Sequence, residues 1–92
     1  MVNRDRRYEL ISVLFKEGKI QTFNDIFVFV PKTIVATNMG KKVDRFTLLM
    51  NRVEKFTLEN IFQIGKLCDL GESQMLELVM KEYSIQKKKN KK

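Results

Sequence analysis

The chain has no histidine and no tryptophan, and only one cysteine, one proline and four glycines in 92 residues. Each shortage removes a class of protein. Without histidine the commonest general base and metal ligand is missing, and Cys68 has no imidazole to activate it. A lone cysteine also rules out a disulfide within the chain, and its place in an apolar helical stretch reads as an ordinary buried thiol. No glycine-rich loop able to cradle a phosphate is present, nor any metal-ligand spacing, and the carboxylates are scattered among lysines and arginines as on a solvated surface. An enzyme is therefore not expected, and neither is a cofactor, a metal or a small-molecule substrate. With so few glycines and prolines the chain cannot supply the turn every ~8–12 residues that a β-sandwich needs, so the expected fold class is all-α. No stretch approaches the ~20 apolar residues needed to cross a bilayer, so no membrane contact is expected. The start, Met1 to Arg7, leads into a short mixed stretch that lacks the apolar core and cleavage site of a signal peptide. The expected location is the cytoplasm.

What is present is helical periodicity. A chain of this length makes one domain, expected over residues 1–85, as a compact bundle of five or six short helices. Tyr8, Ile11, Leu14 and Phe15 recur at helical spacing, which predicts a first helix from Arg4 to Glu17 that Gly18 ends in a left-handed conformation. Thr22-Phe23-Asn24-Asp25 has the form that caps a helix start, predicting a short second helix from Phe23 to Phe29 that Pro31 stops. A strand over Ile26 to Val30 is its rival, because periodicity alone does not settle a run of five β-formers; helix is preferred. Pro31, whose missing N–H is not needed at a helix start, opens a third helix over Lys32 to Met39. Val43 to Arg52 makes the fourth. Thr57 caps the fifth, which runs to about Asp69 with Leu58, Ile61, Phe62 and Gly65 on one side and Ile64, Leu67 and Cys68 widening its apolar face. Gly65 in mid-helix predicts another helix lying close against it. The sixth spans Glu72 to Ser84, with Leu76, Val79, Met80 and Tyr83 inward. Residues 86–92, rich in lysine, are expected to form a disordered tail.

The net charge of +7 is unevenly placed. Lys87, Lys88, Lys89, Lys91 and Lys92 carry +5 of it. Between Lys32 and Lys55 the balance is +4, whereas from Phe56 to Gln86 it is −3. The middle of the chain is thus suited to a polyanion and the C-terminal part is turned away from one.

That basic middle carries the most specific pattern. Two helices that cross at roughly 90–120° through a short turn need a small side chain at the crossing and often a glycine in the turn. Ala36 and Gly40 stand where both are needed, with Val35 and Met39 on one helix and Val43, Phe46, Leu49 and Met50 striping the other. Ala36, Gly40, Phe46 and Leu49 also reproduce the spacing of the lambda-repressor-like helix-turn-helix domains, and Phe56 to Gly71 follows the order of the helices after the motif. From about Phe23 to Tyr83 the chain resembles that family, and within it the small regulators of phages and other mobile elements. Lys41 and Lys42 depart from its pattern, which favours an apolar residue and a capping Ser or Thr there. The resemblance implies a sequence-specific double-stranded DNA-binding transcriptional regulator, active as a dimer, with the motif at about residues 31–52.

Stepping about 100° per residue from an inward Phe46 places Asp44, Thr47, Leu48 and Asn51 outward, flanked by Arg45 and Arg52. Asn51 can pair with an adenine edge, Thr47 with a base or a thymine methyl, Leu48 with thymine methyls, and Asp44 with a cytosine amino group. Asp44 near a helix start has a competing role as a cap. Lys32, Lys41, Lys42, Arg45, Arg52 and Lys55 are the candidates for phosphate contact, which positions a protein without specifying sequence. Two other readings use the same residues. In one the fold is a protein-interaction adaptor or antitoxin-like module with Leu48 as its anchor; in the other it binds nucleic acid non-specifically through the lysine tail.

Overall fold

Three helices in this protein end in turns of one kind. Gly18 and Gly40 take left-handed conformations, with φ of 77° and 69°, and Asp69 does the same at 59°. At each, two N–H groups reach back into the helix just ended: Lys19 to the Leu14 carbonyl, Lys41 to Ala36 and Leu70 to Gly65, with Gly18, Gly40 and Asp69 bonding Phe15, Thr37 and Lys66. This double closure satisfies carbonyls that a helix end would otherwise leave open. The structure, a computed structural model, describes residues 6–90. Among these it has α1 (Arg7–Lys16), α2 (Ile26–Phe29), α3 (Lys32–Asn38), α4 (Val43–Asn51), α5 (Leu58–Cys68) and α6 (Glu72–Asn90), and no strand. Single 3₁₀ turns, Phe23–Asp25 and Val53–Lys55, precede α2 and α5. The expected first residues of α1, Arg4 and Asp5, lie outside the described span.

The segment 23–29 is helical, because the Asp25 carboxylate accepts the N–H groups of Gln21 and Thr22 at 2.9 and 3.1 Å and so holds the helix start closed. The expected cap of α5 is also present: Thr57 Oγ1 accepts the Asn60 N–H at 3.1 Å. Four phenylalanines form the centre of the core. Phe23, Phe27, Phe46 and Phe56 contact one another edge to face around a closed circuit, with ring centroids 5.3–5.6 Å apart. Such pairs add about 0.5–1.5 kcal/mol each beyond the area they bury. Phe46 ties α4 into this circuit, while α5 packs against α1 on one side and α6 on the other. Gly65 is the contact point with α6: a Cβ there would stand 2.6 Å from Met75 Cγ, so only glycine fits so close an approach.

Three expectations need correction. Leu58 is exposed, since it is the first residue of α5 and its side chain leans toward the helix start, beyond the packed elements. The inward face of α6 is Met75, Leu78, Val79, Glu82 and Gln86, with Tyr83 half-buried; Leu76 and Met80 face outward. The anchor at Gly65 selects Met75, and helical spacing carries the stripe on through two polar residues. The tail expected over residues 86–92 is also helical as far as Asn90, and Gln86 is buried. Lysine is a good helix former and its charge suits a helix C-terminus, so the run does not interrupt α6. Lys91 and Lys92 lie outside the described residues.

Gln86 is buried because it completes the end of α4. Its Nε2 donates to the Met50 carbonyl at 2.6 Å and to Glu82 Oε2 at 3.1 Å, and its Oε1 accepts the Val53 N–H at 2.9 Å. Asn24 joins from the other side, its Nδ2 donating to Met50 at 3.0 Å and its N–H to Glu82 Oε1 at 3.1 Å. Replacing Gln86 with alanine leaves the Val53 N–H buried and unpaired, which costs about 1–3 kcal/mol. Urea unfolding of Gln86→Ala is therefore expected to show that loss, whereas Lys87→Ala, one residue on and exposed, stays within about 0.5 kcal/mol of wild type.

Candidate nucleic-acid interface

The basic region folds as α3, a turn over residues 39–42, and α4. Val35 and Ala36 are both fully buried, Met39 is half-buried beside them, and α3 packs against α4. The turn is held by the backbone alone: Lys41 N–H reaches the Ala36 carbonyl at 2.8 Å while Gly40 supplies the positive φ. No side chain caps the start of α4. Asp44 lies in the first turn, where its charge suits the helix dipole, and it does not act as the cap. The C-terminal end of α3, next to the turn, is tied to α1 by Asn38 Nδ2, which donates to the Tyr8 hydroxyl at 2.7 Å.

On α4 the inward residues are Phe46, fully buried, and Val43, Leu49 and Met50, half-buried. Asp44, Leu48 and Asn51 are exposed, as are Arg45 and Arg52 beside them. Thr47 differs from the other three: it is half-buried and its hydroxyl donates to the Val43 carbonyl at 3.0 Å. Its hydrogen is thus already used, and what it still offers is its methyl group and the oxygen lone pairs. Leu48, at 67% exposure, projects fully into solvent.

Of the six cations, Lys42, Arg45, Arg52 and Lys55 are exposed, and Lys32 and Lys41 half-buried. Arg45, Arg52 and Lys55 surround a surface groove of about 460 Å³ whose remaining walls are Leu48, Leu49 and Asn51. Lys32, Lys41 and Lys42, from the start of α3 and the turn, do not line it. Arg52 Nε lies 3.5 Å from Glu54 Oε2, an exposed pair of the kind worth less than about 1 kcal/mol, so its guanidinium is readily recruited elsewhere. The groove thus brings together two leucines, one amide and three cations. It can accept an elongated polyanion that also presents methyl groups or amide-pairing edges.

Sequence reasoning did not find three residues that fix this surface: Asn24, Glu82 and Gln86. All are polar and stood outside the apolar periodicity, and Gln86 was counted with the lysines that follow it. A signal was there, since Met75, Leu78, Val79, Glu82 and Gln86 keep an unbroken helical spacing. Among the described residues no three acidic or cysteine side chains group so as to hold a metal ion, and no helix is long and apolar enough to cross a membrane. Compared with protein families, curated proteins and solved structures, the chain matches none of them.

The turn makes a direct prediction. Nothing lies within 4 Å of a Cβ placed on Gly40, so only its φ opposes a side chain there. Gly40→Ala is expected to cost about 1–2 kcal/mol in thermal or urea unfolding, and Gly40→Asn less, because asparagine enters the left-handed region more readily.

Proposed function

We propose that the protein is a sequence-specific double-stranded DNA-binding transcriptional regulator, that α3, the turn and α4 form a helix-turn-helix, and that α4 enters the major groove. The observation that carries this reading is the face of α4, where exposed Leu48 and Asn51 share one groove with Arg45, Arg52 and Lys55. A base reader needs side chains able to meet edges and methyl groups, flanked by cations to hold the phosphates on either side. Asn51 is positioned for adenine, Leu48 for a thymine methyl, and Asp44 for a cytosine amino group at the start of the helix. Thr47 contributes through its methyl. Arg45, Arg52 and Lys55 contact phosphates at the groove, with Lys42, Lys41 and Lys32 continuing the charge along the turn and α3. The resemblance in the motif residues to lambda-repressor-like regulators of phages and mobile elements supports the same reading. So does the negative charge of residues 56–86, opposite to that of the motif region.

In this reading the protein is a cytoplasmic binding protein and not an enzyme, and two copies read half-sites about 34–36 Å apart on one side of the duplex. A second reading is favoured by one observation: Leu48, exposed, lines the groove together with Leu49, which also suits a protein anchor in an adaptor or antitoxin-like module. Selection of duplexes from a random pool separates the two, since an enriched motif requires base reading and a protein-contact module enriches none. On the selected duplex, Asn51→Ala is expected to relax preference at one base pair, at a cost of about 1–3 kcal/mol there. Arg52→Ala weakens binding to every sequence and lowers the slope of log K against log salt by about 1. Equal losses on selected and random duplexes for both variants refute the assignment of α4 as the reading helix.

A further inference from the structure

The last turns of α6 lie beside the C-terminal end of α4. Gln86 is fixed there by its bonds to Met50, Val53 and Glu82, so the helix that continues to Asn90 starts from an anchored point. Lys89 follows three residues later and therefore shares the side of α6 that Gln86 occupies. With Asn51, Asn24, Glu82 and Gln86 it lines a second hollow of about 280 Å³. Asn51 thus borders two adjoining hollows, one rimmed by Arg45, Arg52 and Lys55 and the other by Lys89. The one carboxylate in the second hollow, Glu82, is buried with its oxygens taken by the Asn24 N–H and the Gln86 amide, so it is the exposed Lys89 that the hollow presents to solvent. Lys89 is exposed and in no ion pair: those among the described residues join Lys19 to Glu17, Arg52 to Glu54 and Lys81 to Glu77.

We infer that Lys89 is a phosphate contact of the DNA interface, carried beyond Asn51 on a rigid α6, so that the duplex backbone is gripped on both sides of the end of α4. This rests on the DNA-binding reading above. The lysine ammonium is a compact point charge that takes a phosphate oxygen without selecting a base, which suits it to set the register of Asn51 on its base pair. Complementing the helix dipole is a task that Lys87 and Lys88 share, but of the three only Lys89 lines the hollow with Asn51.

The test uses the full chain on the duplex enriched from a random pool and on a scrambled duplex of the same length, titrated at several salt concentrations. Lys89→Gln is expected to lower the salt slope by about 0.9 on both duplexes, the share of one neutralised phosphate. Lys88→Gln, about 200° round the helix from Gln86, leaves it nearly unchanged. Two glycines inserted between Gln86 and Lys87 keep every lysine yet release the helix, and the slope falls as for Lys89→Gln. If the glycine insertion binds like wild type, or if Lys88→Gln and Lys89→Gln lose equally, the lysines act as a loose polycation and the inference fails alone. If the wild-type chain binds neither duplex, it fails together with the reading it rests on.

Discussion

The Met50 carbonyl and the Val53 N–H stand where α4 stops, and what becomes of them decides whether that helix can present a fixed face. A helix end leaves its last carbonyls without partners, and this one is partly covered, so water cannot serve them freely. Gln86 answers both groups with one amide, and Asn24 adds a second bond to Met50. Glu82 braces the two amides by accepting from each residue. Three polar side chains, drawn from the 3₁₀ turn before α2 and from α6, thereby hold the last turn of α4 in one place. Loss of Gln86 strands the Val53 N–H, whereas loss of the Asn24 side chain leaves the Met50 carbonyl with Gln86 as its partner.

The rest of α4 is held by different means along its length. Phe46 at its middle joins an edge-to-face circuit of four rings, which fixes rotation about the helix axis as well as distance from the core. At its start there is no side-chain cap, and the approach of the chain is set instead by the doubly bonded turn at Gly40. The outward residues carry none of this burden. Asp44, Leu48 and Asn51 are free to differ without disturbing the fold, which is the condition under which a surface can specialise.

Much of the architecture could be read from spacing alone, and what could not be read has causes that differ from place to place. Gly18, Gly40, the Thr57 cap and the close approach at Gly65 each rest on a local rule, and each is found in place. Asp69 takes the same left-handed turn without glycine and so gave no sign of it. Spacing favours Leu76 and Met80 for the inward face of α6 because they outrank Glu82 and Gln86 in apolarity, yet the latter two meet covered backbone groups of neighbouring elements. That need is created by the fold and is invisible before it. The outward face of α4 was legible for Asp44, Leu48 and Asn51, since an inward Phe46 determines it by geometry. Thr47 turned its hydroxyl back on its own helix, a competition that hydroxyl side chains commonly enter.

The partner that closes α4 lies 36 residues further along the chain from Met50. During synthesis, α3, the turn and α4 leave the ribosome well before Gln86 does, so the surface exists in outline while its last turn is still unsupported. Asn24 can reach the carbonyl of Met50 from the outset, but only when the final turns of α6 emerge is the Val53 N–H answered. The nascent protein can therefore fold before α4 is fully held, and an mRNA broken shortly ahead of codon 86 would yield a product with α4 present but its end lacking the Gln86 bonds.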